Sequence, residues 1–285
     1  MKELTVISGK GGTGKTSITA ALATLASDAV ICDCDVDAAN LHLLLSPKVN
    51  NKAEFYGMKK ALINQDECTQ CGQCVELCNF DAISDYTVNS MACEGCQLCH
   101  HACPSGAVEM VDHLAGHWYI SETQCGPFVH AKLGIAEGNS GLLVAEVRKA
   151  ARRLAEEGNK SIIITDGPPG IGCPVISSLA DTNMALVVTE PTISAIHDLE
   201  RIVKVAKNFG CYIAVCINKY NLNEENSRYI EGISRKLNIP IVGRVSYDPV
   251  MHEAIVRNMP VTLVPKGKVH DEIKTLWAQV QKILL

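Results

Sequence analysis

Apolar positions along the 285-residue chain fall into two kinds of pattern. Short, nearly continuous apolar runs occur at residues 4–8, 29–33, 161–165, 185–188, 212–217 and 239–242. Such runs read as buried strands. Helical patterns lie between them, at about 16–26, 141–157, 195–208 and 223–237. Strand and helix alternating in this way predict an α/β fold, a parallel sheet with helices on both faces. Ligands of such sheets bind at the carboxyl ends of the strands. Near the end of the chain Ile273, Leu276, Trp277, Val280 and Leu284 share one helical face. Only Lys274 and Lys282 are cations on its polar face, so it is expected to pack on the sheet rather than on a membrane.

The alternation stops between residues 57 and 115. There the strong signal is a repeat with an offset of 25 residues: Cys68, Cys71, Cys74 and Cys78 match Cys93, Cys96, Cys99 and Cys103, and Ala82-Ile83 matches Ala107-Val108. This predicts an internally duplicated domain, 57–115, inserted into a host formed by 1–56 and 116–285. Charge follows the same division. The insert carries net −6 and the rest +1, giving −5 overall. A general nucleic-acid footprint is therefore not expected. Neither a signal peptide nor an apolar run of membrane-spanning length is visible, so the expected location is cytoplasmic. Thiols stay reduced there, and clustered cysteines among the fourteen present point to metal ligation rather than disulfides.

Between the first strand and the first helix stands Gly9-Lys10-Gly11-Gly12-Thr13-Gly14-Lys15-Thr16, a complete G-x-x-x-x-G-K-[ST] loop. Its glycines let backbone N–H groups turn toward phosphate oxygens. Lys15 supplies a point charge, the Thr16 hydroxyl a Mg²⁺ ligand, and the helix opening at Thr16-Ser17 its positive end. Asp166, expected to end the strand 162–165, suits a carboxylate behind Mg²⁺, and Pro168-Pro169-Gly170 reads as a stiff loop after it. In Cys32-Asp33-Cys34-Asp35-Val36-Asp37, Asp35 is the first candidate for orienting the attacking water and Asp33 the second.

The extra lysine, Lys10, makes the chain resemble the deviant Walker A ATPases, the MinD/Mrp/ParA group that also includes the nitrogenase iron protein. The matching motifs are 10–16, Asp33-Cys-Asp35 with Asn40, Asp166-Gly-Pro-Pro-Gly170 and Ile217-Asn218-Lys219. The resemblance implies a nucleotide-sandwich homodimer binding MgATP. In it Lys10 reaches the partner's phosphates, Asp35 activates water and Asn218 contacts the adenine.

C-x₂-C-x₂-C-x₃-C occurs twice in the insert. Spacing of this kind lets three thiolates hold one face of a [4Fe–4S] cube while the fourth, remote cysteine serves the other cube. Cluster one takes Cys68, Cys71, Cys74 and Cys103. Cluster two takes Cys93, Cys96, Cys99 and Cys78. The insert resembles the bacterial two-cluster ferredoxin, with Pro104 after the second run and Asn79 in place of proline after the first. The whole chain looks like a full-length member of the MinD-type ATPases with an inserted ferredoxin domain. His100 and His101 are expected at the surface, and Cys32, Cys211 and Cys216 in the core.

Cys173 lies seven residues after Asp166, the offset at which the nitrogenase iron protein ligates a cluster bridging its dimer. The stretch matching that protein's other ligand, 138–141, has no cysteine, and Cys125 is the nearest substitute. An interfacial metal site from Cys125 and Cys173 of two subunits is the resulting expectation. Three functions compete: ATP-gated electron transfer to a redox partner, metallocluster assembly with a metallocluster partner, and a regulatory ATPase whose clusters sense oxidation.

Overall fold

The computed structural model describes residues 1–134, 137–138, 140–265 and 267–285. Along the chain run β1 (Lys2–Ser8), α1 (Lys15–Leu25), β2 (Ala29–Asp33), α2 (Leu41–Leu45), β3 (Lys48–Tyr56), β4 (Lys60–Ile63) and α3 (Gln73–Glu76). Then come β5 (Ile83–Ser84), β6 (Thr87–Val88), α4 (Leu98–Ala102), β7 (Val108–Val111), β8 (Leu114–Thr123), β9 (Gly126–Leu133) and α5 (Ser140–Glu157). The remainder is β10 (Ile162–Pro169), α6 (Cys173–Leu179), β11 (Met184–Thr189), α7 (Ile193–Lys207), β12 (Tyr212–Asn218), α8 (Glu224–Lys236), β13 (Ile241–Val245), α9 (Pro249–Val256) and α10 (Lys268–Leu284).

Two compact units result. The first comprises Met1–Lys52, Trp118–Lys132 and Ser140–Leu285, the second Ala53–His117 and Leu133–Asn139. The insert therefore extends beyond the expected 57–115, and the chain visits it twice.

The main sheet has the order β13-β12-β11-β1-β10-β2-β9-β8-β3. From β13 to β9 the neighbours pair in parallel. Successive residues point to opposite faces, and both faces are covered. Leu4, Val6, Leu186 and Val188 join the core that contains α1 and α10, while Ile7, Ala185 and Val187 join the one that contains α7 and α8. Burial on both sides is why these strands read as continuous apolar runs.

The sheet is mostly parallel, as expected, and departs from this at one edge. β8 and β9 are joined by Gln124 and Cys125 alone, so they run antiparallel, and β3 follows at the edge. β3 is exposed along almost its whole length, with only Phe55 buried, and so carries no apolar signature. A second departure concerns Asp166, which does not end its strand. β10 continues to Pro169, passing so close to β1 that a Cβ at Gly167 would lie 2.8 Å from Ile7 Cγ2.

α10 buries Ile273, Leu276, Trp277, Val280 and Leu284 in the core, as its periodicity predicts. Among the described residues no helix is long and apolar enough to cross a membrane.

The second unit keeps the 25-residue repeat in its ladders. β4 pairs with β7 through Ile63↔Val108 and Leu62↔Glu109. β5 pairs with β6 through Ile83↔Val88 and Ser84↔Thr87. Adding 25 to Ile63 and subtracting it from Val108 turns the first ladder into the second. Its buried cluster is small: Ala61, Ile63, Ala82, Ile83 and Val108, completed by Cys74 and Cys93.

Candidate nucleotide and cysteine sites

The phosphate loop links β1 to α1 at the carboxyl end of the sheet. Gly12 and Gly14 adopt φ of 80° and 87°, where L side chains are strained. Space is equally restrictive at Gly14: a Cβ there would lie 2.3 Å from Asn218 Nδ2. That amide donates to the Thr13 carbonyl at 2.8 Å, so the end of β12 holds the loop. Gly9 packs on Asp198, whereas Gly11 faces open space. Ser17 follows in the first turn of α1. The Thr13 hydroxyl is buried without a protein partner, an orphan that a bound ligand oxygen would satisfy.

Behind the loop, Asp166 gathers three donors. Lys15 Nζ lies 3.0 Å from Oδ1, Thr19 donates to Oδ1 at 2.9 Å, and Thr16 donates to Oδ2 at 2.7 Å. Asp35 Oδ2 is 3.5 Å from Lys15 Nζ. Burial opposes the charge on Lys15, but Asp166, Asp35 and Asp33 outweigh it and its pKa is raised. Asp35 is itself raised, chiefly by burial, with Lys15 working the other way. Asp33 is fully buried, accepts from the N–H groups of Asp35 and Leu41, and is raised well above the carboxylate range by burial and by Asp166. Of the two candidates for the water-orienting carboxylate, only Asp35 keeps partial exposure, 13% of its side chain. Asp33 instead shapes the loop.

Lys10 is held within its own chain. Its Nζ lies 2.8 Å from Glu190 Oε1 and donates to Thr192 Oγ1 at 3.1 Å and Ser194 Oγ at 3.0 Å. Glu190 Oε2 takes Lys219 Nζ at 2.8 Å, and Lys219 also donates to the Gly12 carbonyl at 2.9 Å. Burial alone would raise the Glu190 carboxyl, but the two lysines hold it below its ordinary value. Glu190, Thr192, Ser194 and Thr19 were not among the residues predicted from sequence. The link between β11 and α7 carries no chemical motif, and its role is visible only where the sheet brings it to the loop.

In the second unit, Cys68, Cys71, Cys74 and Cys103 line one cavity together with Tyr86 and Val108. Burial raises the Cys74 thiol, and the nearby Cys68 and Cys103 add to it. Burial likewise raises Cys99, with Cys93 and Cys96 adding. Cys78 packs against the same small core as these residues and accepts from the Ala82 N–H. Among the described residues no three His, Cys, Asp or Glu side chains are arranged to hold a single metal ion. His101 is exposed, and His100 Nδ1 lies 2.5 Å from the Val108 carbonyl.

One chain does not bring Cys125 and Cys173 together. Cys125 sits in the β8–β9 turn, half-buried against the core, beside a glycine that abuts Ala29 at the amino end of β2. Cys173 is exposed at the start of α6, beyond the carboxyl end of β10. The two lie at opposite ends of the parallel strands, and residue 139 of the 138–141 stretch lies outside the described residues. Cys32 and Cys216 are fully buried as expected, Cys216 with its thiol pushed up to about 12 by burial, and Cys211 is half-buried against the core.

The sequence and fold match known proteins along most of their length. A profile of the CobQ/CobB/MinD/ParA nucleotide binding domain matches residues 4–261. The uncharacterized protein MJ0578 of Methanocaldococcus jannaschii is 32% identical over 288 residues, covering 99% of this chain and 97% of that protein. The septum site-determining protein MinD of Thermotoga maritima is 22% identical, with 98% and 87% covered. Among solved structures, MinD of Pyrococcus horikoshii OT3 complexed with Mg-ADP aligns with a TM-score of 0.62 at 21% identity, covering 99% of this chain and 96% of that one. The Pyrococcus furiosus cell division ATPase MinD aligns with a TM-score of 0.60 at 20% identity, covering 99% and 98%. These structural likenesses concern the fold, whereas the profile and the Methanocaldococcus relative concern descent. The chain belongs to the CobQ/CobB/MinD/ParA nucleotide-binding domain family.

Proposed function

We propose that this protein is a MgATP-hydrolysing ATPase whose nucleotide-dependent homodimer cycle is coupled to electron transfer through two [4Fe–4S] clusters. One observation carries the reading: a chain with a complete phosphate loop also folds Cys68, Cys71, Cys74 and the distant Cys103 around one cavity. Two runs of C-x₂-C-x₂-C-x₃-C match the ligand demands of four-iron cubes better than those of zinc. The second unit is also small and leans on cysteines for its core, as domains that fold around metal do. By the repeat, Cys93, Cys96, Cys99 and Cys78 hold the second cluster. Bound clusters supply one-electron transfer.

At the nucleotide, the loop N–H groups and Lys15 hold the phosphates. Thr16 and Asp166, already hydrogen-bonded, are the residues that would hold Mg²⁺, which neutralises phosphate charge when bound. Asp35, partly exposed and with its carboxyl raised by burial, orients water and accepts its proton. Asn218 fixes the loop and faces the base. Lys10 leaves Glu190 to meet phosphate.

Anaerobically purified protein tests this directly. Iron analysis expects about eight irons per chain. EPR-monitored potentiometry with and without MgATP expects a nucleotide-dependent midpoint shift. Absence of iron, or midpoints indifferent to MgATP, overturns the coupling.

A second reading, cluster assembly or carriage, is favoured by the exposure of Cys71 and Cys96, one on each cysteine run. ATP-dependent transfer of iron to an apo-acceptor would support it over electron transfer. The MinD relatives are named for septum-site determination. A positioning ATPase is the reading those names favour; the eight cysteines in ferredoxin spacing find a use in it only if their clusters sense oxidation.

A further inference from the structure

The duplicated second unit offers an internal comparison, because its two halves differ in one buried charge. Lys60, the first residue of β4, is 9% exposed, and its Nζ donates to the Cys93 carbonyl at 2.6 Å. The contact is not isolated. A Cβ at Gly95 would lie 2.4 Å from the Lys59 carbonyl, so the start of β4 lies against the Cys93–Cys96 loop.

The repeat predicts what should face the other loop. Lys60 plus 25 is Asp85, in the register established by the two ladders. Asp85 is exposed. What reaches the Cys68–Cys71 loop is its neighbour Tyr86, whose neutral hydroxyl donates to the Gln70 carbonyl at 2.8 Å. One cysteine loop is therefore backed by a buried ammonium, the other by a phenol with a solvated carboxylate beside it. The remaining acids of residues 57–115 are all exposed, and Lys59 is an exposed cation paired with Asp112, so none of them repeats the buried charge of Lys60.

We propose that Lys60 sets the potential of one cluster, making the site of Cys93, Cys96, Cys99 and Cys78 the easier of the two to reduce. The inference rests on the two-cluster reading above. Taking up one electron adds one negative charge to the cluster and its thiolates. A buried cation close by stabilises that added charge far more than an exposed one, which water screens. Electrons entering the pair then settle on the side of Cys93. The cluster of Cys68, Cys71, Cys74 and Cys103 is left as the stronger reductant.

The test is an EPR-monitored redox titration of the full-length protein, with iron and sulfide analysis of every sample. Wild type is compared with Lys60→Met and Lys60→Gln, which remove the charge, and with Lys60→Arg, which keeps it. Wild type should show two separated one-electron transitions. Both neutral variants should lower the higher one by about tenfold in its reduction equilibrium, ~59 mV, and leave the lower one in place. Lys60→Arg should retain the wild-type separation. Full iron with both midpoints unmoved in a neutral variant overturns the role of Lys60 alone. So does movement of the lower transition instead. Wild-type protein without iron overturns the cluster reading itself, and this inference with it.

Discussion

Replacing His130 with Phe should abolish most of an acid sensitivity built into the nucleotide-binding unit. His130, on β9, is 8% exposed and stacks on Phe128 (ring centroids 4.6 Å apart), Tyr119 (5.0 Å) and His42 (6.1 Å). Its Nε2 lies 3.0 Å from Ser121 Oγ. Burial, with some repulsion from His42, pushes the imidazole down from 6.5 to about 4. Between these values the unfolded chain binds a proton that the folded one refuses, so stability falls as pH falls through that window. The full difference corresponds to roughly 3 kcal/mol, and about 2 kcal/mol of it is already lost at pH 5. Urea denaturation of wild type and His130→Phe at pH 7 and pH 5 reads this as a double difference. Phe keeps the stack, and the lost Ser121 contact costs the same at both pH values. The stability gap between the two proteins should therefore move by about 2 kcal/mol in favour of the variant on acidification. A gap that does not change with pH would show that the folded protein accommodates protonated His130, and the reasoning from burial would be wrong.

Three further outcomes are expected. Gly14→Ala forces an L residue to φ 87° and drives a methyl into Asn218, costing on the order of 2–3 kcal/mol at the loop, so calorimetry should find MgADP bound about 100-fold more weakly, while Gly11→Ala stays within about twofold. Glu190→Gln frees Lys10 and Lys219 from a competing carboxylate, and MgATP affinity should rise about tenfold. Because Glu190 is held below its ordinary value, the wild-type contact persists through the usual carboxylate range and is lost only in more acid solution; an unchanged affinity in the variant would remove Glu190 as a competitor for phosphate. Glu3→Ala strands the buried Arg148 guanidinium, which with Arg152 pairs with Glu3, and should cost about 3–5 kcal/mol in urea denaturation; Glu3→Leu with Arg148→Met should recover much of it.

What could be read from the chain divides by how local its cause is. The phosphate loop was legible because glycine torsions and a strand-to-helix turn fix its chemistry within a few residues, whereas Asn218, far along the chain, was reached only through the family resemblance. The duplication was legible because cysteine spacing carries it, and the two ladders repeat it in register. Partners supplied by distant segments were not legible: Glu190 meets Lys10 only because β11 lies beside β1. Nor was the antiparallel edge, whose outermost strand β3 is exposed along almost its whole length. That edge also carries the chain between the two units. β2 leads into Asp33 and Asp35, and its neighbour β9 leads at its carboxyl end into residues 133–139 of the cysteine-bearing unit. β3 and β8 carry the chain into and out of the same unit. The strands that sequence pattern overlooked are thus the covalent connections between the two units. β9 is hydrogen-bonded to β2 at Ile31↔Phe128 and Cys32↔Val129, so the strand that ends at Asp33 and the strand that leads the chain to residue 133 share one parallel ladder.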